Sequence, residues 1–186
     1  MFSKNSHIKE VEKNFVIIYN LDDVEKIEGC EMGMKELVAF DVADFFLSKG
    51  SLTQKKLQKL VYYAYAWFIA LNNESKDEIT NELFKEQPEA WIHGPVFPSL
   101  YDRYKNYNWN EIEKKESNLK LNKDLEAFLD DIWMKFGEFT ADELEYMTHQ
   151  ESPWIKARKN VDFFERSNKK ISKEDIFMYY NGLING

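Results

Sequence analysis

The sequence predicts a mainly α fold: a compact helical bundle with a short β-hairpin near residues 83–96 and an N-terminal β appendage. Three observations carry that expectation. Apolar residues recur at helical spacing over 57–71 and again over 121–136. The one stretch of the main body that breaks this periodicity contains Pro88, Gly94 and Pro95. Residues 1–36 lack the helical pattern and hold a β-branched and aromatic run instead.

That run is Phe15-Val16-Ile17-Ile18-Tyr19, bounded by Asn14 and by Asn20-Leu21-Asp22-Asp23, and it reads as a strand. Val24 to Cys30 reads as a second, weaker strand, and Gly29 and Gly33 lead out of it. The chain therefore divides into an appendage, 1–36, and a helical domain, 37–186.

The first helix carries Leu37, Val38, Val42, Phe45 and Phe46 and stops at Lys49-Gly50. Thr53 is the expected N-cap of the next. There Leu57, Leu60, Val61, Ala64, Trp67, Phe68 and Leu71 form one apolar stripe, with Lys55, Lys56 and Lys59 on the other side. Tyr62, Tyr63 and Tyr65 widen the apolar surface, as expected of a helix packed between others. After a polar loop, Glu89 to His93 precedes Gly94-Pro95 as a strand or hairpin. Pro98 suits the first turn of a short helix through Leu100, Tyr101, Tyr104 and Tyr107, because its missing N–H costs nothing there. A charged loop, 108–118, follows. Leu121, Leu125, Phe128, Leu129, Ile132, Trp133 and Phe136 make another amphipathic helix, which Gly137 ends. Thr140 and Glu143 form a capping box for a helix with Leu144, Met147 and Thr148. Ser152-Pro153 opens a helix to Lys159, and Ser172 caps a last one that Gly182 stops.

Composition narrows the function. The 186 residues are 44% hydrophobic with 14 Phe, 10 Tyr and 5 Trp, enough for one folded domain without a metal or disulfide staple. The net charge of -8 argues against nucleic-acid binding, which depends on neutralising phosphates, and suits solubility or a basic protein partner. Cys30 is the single cysteine, so no internal disulfide forms. Leu60 to Leu71, the longest weakly polar run, falls short of the ~20 residues needed to span a bilayer. Met1 to Glu12 has no apolar core like that of a signal peptide, so a cytoplasmic location is expected.

Chemistry-bearing residues are few. His93 and His149 lie at breaks in regular structure, where sites gather. With Glu151 they could ligate a metal or work as an acid–base pair, but the plainer reading is that each ring bonds a loop carbonyl and fixes its turn. Cys30 sits near Glu28 and Glu31, whose charge opposes a thiolate. Asp130 and Asp131 are adjacent on a helix and diverge. No nucleophile motif or phosphate-cradling loop occurs, so no catalytic residue, metal or cofactor is assigned.

Aromatic residues are the other candidates. Trp91, Phe97, Tyr101, Tyr104, Tyr107 and Trp109 crowd around two prolines. Rigid aromatics anchor interfaces at low entropic cost. Core packing is the preferred reading for Trp91 and Tyr101, whereas Tyr107 and Trp109, beside the charged loop, are the stronger interface candidates. The partner-binding set is Tyr101, Tyr104, Tyr107, Trp109, His93 and His149, with Phe15, Ile17 and Tyr19 available for strand pairing.

Four ordered blocks then match a known pattern. They are Val42 to Trp67, Glu89-Ala90-Trp91-Ile92-His93-Gly94-Pro95-Val96-Phe97-Pro98-Ser99-Leu100-Tyr101, Thr148-His149-Gln150-Glu151-Ser152-Pro153-Trp154, and Ile176 to Tyr180. Over about residues 37–182 the chain resembles the Panacea domain of the SocA-like (phage-associated GepA-like) antitoxins. The resemblance implies a cytoplasmic antitoxin that neutralises a cognate toxin by direct binding; some members act as adapters that deliver the toxin to an AAA+ protease. It brings no catalytic residues, and residues 1–36 lie outside it as a candidate specificity element. Two other functions compete: a phage- or mobile-element-encoded inhibitor of a host defence protein, and a hydrolase-type enzyme using His93 or His149.

Overall fold

The computed structural model describes residues 36–185 apart from Asn118 and Phe163. In chain order these form α1 (Ala39–Lys49), β1 (Leu52–Thr53), α2 (Gln54–Asn72), β2 (Glu89–Trp91), β3 (Gly94–Val96), α3 (Pro98–Tyr104), a 3₁₀ turn (Lys105–Tyr107), β4 (Glu111–Ile112), α4 (Lys123–Phe136), α5 (Ala141–Thr148), α6 (Ser152–Ala157) and α7 (Lys173–Asn185). The strands expected at Phe15–Tyr19 and Val24–Cys30 lie outside the described residues.

Thr53 starts the helix around which the others assemble. Its backbone is extended, and its hydroxyl oxygen accepts from the Lys56 N–H at 3.3 Å. All of α2 except Lys55, Lys56 and Leu71 is buried. Helices α1, α3, α4, α5 and α7 and the strand β3 pack around it. The helix is covered by its neighbours on nearly every side, and this corrects one sequence expectation. Lys59, placed on a polar side, is 1% exposed because α5 and the β2–β3 hairpin close over it.

Aromatic contacts hold the layers. Phe136 of α4 stacks on Tyr63 with centroids 4.1 Å apart, and Tyr180 of α7 meets Trp67 edge-on at 5.0 Å. Local caps set the entries: Asn122 accepts from the Leu125 N–H, and Thr140 with Glu143 makes the expected reciprocal box. Helix α7 departs from expectation by running through Gly182 to Asn185. Leu183 and Ile184 pack on the core, which outweighs glycine's local cost of about 1 kcal/mol. Helix α6 ends at Ala157, two residues earlier than expected, before Asn160 turns the chain at φ +66°.

The β component is small. β2 and β3 pair antiparallel, Glu89 with Val96, Ala90 with Pro95 and Trp91 with Gly94. The outer edge of β2 is joined by a returning segment: the Ala90 N–H donates to the Lys169 carbonyl at 2.8 Å, and the Ile171 N–H to that of Pro88 at 2.9 Å. β1, between α1 and α2, pairs antiparallel with β4, which lies in what the sequence presents as a charged loop. Among the described residues no helix is long and apolar enough to cross a membrane.

Candidate functional site

The blocks around Trp91 and Trp154 fold against each other and against α2. Gly94, at φ +93°, passes so close to α2 that a Cβ there would lie 2.6 Å from Lys59 Cε and 2.7 Å from Thr148 Oγ1. Lys59 Nζ donates to the Pro95 carbonyl at 3.2 Å, and burial lowers its pKa to about 7. One residue earlier, Gln58 grips Phe97 twice: its Nε2 donates to the Phe97 carbonyl, and its Oε1 accepts from the Phe97 N–H. The Trp154 indole N–H donates to the Trp91 carbonyl at 3.0 Å, joining α6 to the hairpin.

The candidate histidines are held differently. His93 Nδ1 lies 2.9 Å from Glu145 Oε1, whereas the His149 backbone N–H closes the end of α5 onto the Glu145 backbone carbonyl at 3.1 Å. Glu145 Oε2 accepts from Lys55 at 2.6 Å. Burial alone would raise the Glu145 pKa, but the hydrogen bonds from Lys55 and His93 outweigh it and hold the carboxylate below its ordinary value. Burial lowers His149, whose ring stacks on Trp154 at 4.0 Å. His93 thus bonds a carboxylate on α5, not the loop carbonyl expected of it.

Glu151, weighed from sequence only as a metal ligand, is fully buried. Tyr63 donates to its Oε1 at 2.9 Å, while Tyr180 and Tyr62 donate to its Oε2 at 2.8 and 3.3 Å. Burial, reinforced by that carboxylate, raises Tyr62 and Tyr180 well above the usual phenol range. The arrangement ties the start of α6 to α2 and α7. Among the described residues no group of three or more His, Cys, Asp and Glu side chains is placed to hold a metal ion.

The aromatic candidates divide. Trp109 is 77% exposed, Tyr107 40% and Tyr101 37%. Tyr104 is buried; its hydroxyl donates to Asp44 at 3.4 Å, and its ring supports Tyr107 edge-on. Trp91, half-buried, packs edge-on against Tyr101. Asn108 bends the chain at φ +51° between Tyr107 and Trp109, and the Asn110 N–H closes the turn onto the Tyr107 carbonyl at 2.8 Å. Phe15, Ile17 and Tyr19 lie outside the described residues. Sequence reasoning missed Glu145, whose carboxylate joins His93 to Lys55, and Phe164, 84% exposed in the loop after α6. Neither belongs to a motif or a periodic stripe that could have marked it.

Comparison with known families finds a match over residues 57–155 to the model described as "Antitoxin SocA-like, Panacea domain". No curated protein and no solved structure gives a significant match. The matched span runs from α2 into α6 and contains both blocks that fold together over Lys59. It covers more than half of the chain, which therefore belongs to the SocA-like, Panacea-domain antitoxin family.

Proposed function

We propose that this protein neutralises a cognate toxin by binding it directly, with Trp109, Tyr107 and Tyr101 as apolar anchors. Family membership supports an antitoxin-like role with a protein partner. The observation that carries the surface assignment is Trp109, 77% exposed on a turn closed by a backbone hydrogen bond. A turn whose backbone is already closed needs little further ordering when its side chain docks. The helical domain acts by occlusion in the cytoplasm, and the acidic balance of the chain speeds encounter with a basic partner. Co-expression with the toxin encoded by the neighbouring gene tests this. The wild-type chain is expected to restore growth and to co-purify with that toxin. Failure of both would overturn the proposal.

A further inference from the structure

The loop between α6 and α7 carries an exposed aromatic outside the Tyr101–Trp109 surface. Phe164 is 84% exposed, yet the backbone around it is fixed from beneath. The buried Arg158 guanidinium donates to the carbonyls of Asp162 at 2.9 Å, Glu165 at 2.8 Å and Ala90 at 3.0 Å. Two of these acceptors flank Phe164 in sequence, and the third is in β2. Farther along, Lys169 and Ile171 return to the β2 edge through backbone hydrogen bonds. The loop is thus tied to the hairpin on both sides of Phe164.

Its charge is opposite to that of the molecule. Residues 156–173 hold seven basic side chains and two acidic ones, in a chain of net charge -8. Lys156 pairs with Asp175 and Lys173 with Glu82, while Arg158 is spent on carbonyls. Lys159, Arg166, Lys169 and Lys170 are exposed. Of the two acids, Glu165 accepts from the Asp162 N–H within the loop itself.

We propose that this loop is a second contact with the protein partner, seating Phe164 in an apolar pocket rimmed by carboxylates. The proposal rests on the reading that the chain binds a protein toxin. An exposed aromatic on a tethered backbone, with cations in the same loop, suits a pocket of that chemistry. Four exposed cations on an acidic molecule neutralise few phosphates, which favours a protein over a nucleic acid. A basic loop on an otherwise acidic surface also sets the orientation of docking, because only one pose matches both signs.

The test measures the affinity of the neighbouring gene's toxin for the full-length wild type, Phe164→Ala, Lys169→Glu/Lys170→Glu and Trp109→Ala. Phe164→Ala is expected to weaken binding at least about tenfold with an unchanged melting temperature. The double charge reversal is expected to slow association and flatten its salt dependence. Wild-type affinity in both loop variants overturns the proposal, and a loss in Trp109→Ala alone would leave the first surface standing. Absence of any wild-type complex overturns both. A single-stranded RNA oligonucleotide is the control probe: if Phe164→Ala abolishes RNA binding and leaves toxin affinity intact, the loop serves nucleic acid and the proposal fails.

Discussion

Lys59 reaches the Pro95 carbonyl from beneath the hairpin at 3.2 Å, and the Gly94 backbone crosses the same side chain. An ammonium group so placed has left water for one carbonyl acceptor, so burial lowers its pKa to about 7, against 10.5 for an ordinary lysine. Between those values the unfolded chain holds a proton that the native chain releases. Stability contributed by Lys59 therefore rises with pH across that window and is lowest below it. Lys59→Met is expected to be about 1 kcal/mol or more stabler at pH 7 and to lose this slope. Urea midpoints for both proteins from pH 6 to pH 10 check it. Parallel curves would show that Lys59 keeps its ordinary pKa.

Gly94→Ala forces a side chain into φ +93° and against Lys59 and Thr148. The expected loss is about 2 kcal/mol or more. Gly182→Ala is the matched control, because a Cβ there meets nothing within 4 Å and the residue lies inside α7. It is expected to gain up to about 1 kcal/mol from helix propensity. Chemical denaturation of the two variants should show shifts of opposite sign.

The hydroxyls around Glu151 satisfy a carboxylate that has no access to water. Tyr180→Phe removes the 2.8 Å bond and is expected to cost about 2 kcal/mol. Tyr62→Phe removes the 3.3 Å bond and should cost less. The double variant should cost more than the two single losses added together, since both hydroxyls serve Glu151 Oε2. Simple additivity in equilibrium unfolding would argue against a shared site.

Much of the fold was legible because its signals are local. The Thr53 cap, the apolar stripe of α2 and the Thr140–Glu143 box each need only a few neighbouring residues. The burial of Lys59 was not legible, because it depends on which elements close over the far side of α2. The β1–β4 pair spans two residues per strand, too few for a periodic pattern. Gly182 looked like a stop because its propensity is local, whereas the packing of Leu183 and Ile184 is tertiary. At the site, loop breaks pointed to His93 and His149, but no local pattern pairs His93 with Glu145, which only the tertiary fold brings to it. Tyr104 and Tyr107 share one aromatic run, and only the assembled structure separates the buried ring from the exposed one.

The core contains its own aromatic layers within residues 39–184. Deleting residues 1–33 is therefore expected to leave a cooperatively folding domain while weakening partner binding. Thermal unfolding and the affinity of the truncated chain check the two halves separately. Aggregation of the truncated chain would show that the appendage belongs to the core.

The most direct test of the central claim is the calorimetric affinity of the cognate toxin for Trp109→Ala against wild type. Trp109 is 77% exposed, so its removal should leave the unfolding midpoint unchanged. A loss of at least about tenfold in affinity is expected of a buried interface anchor. Equal affinities, with both proteins folded, would mean that the toxin docks elsewhere.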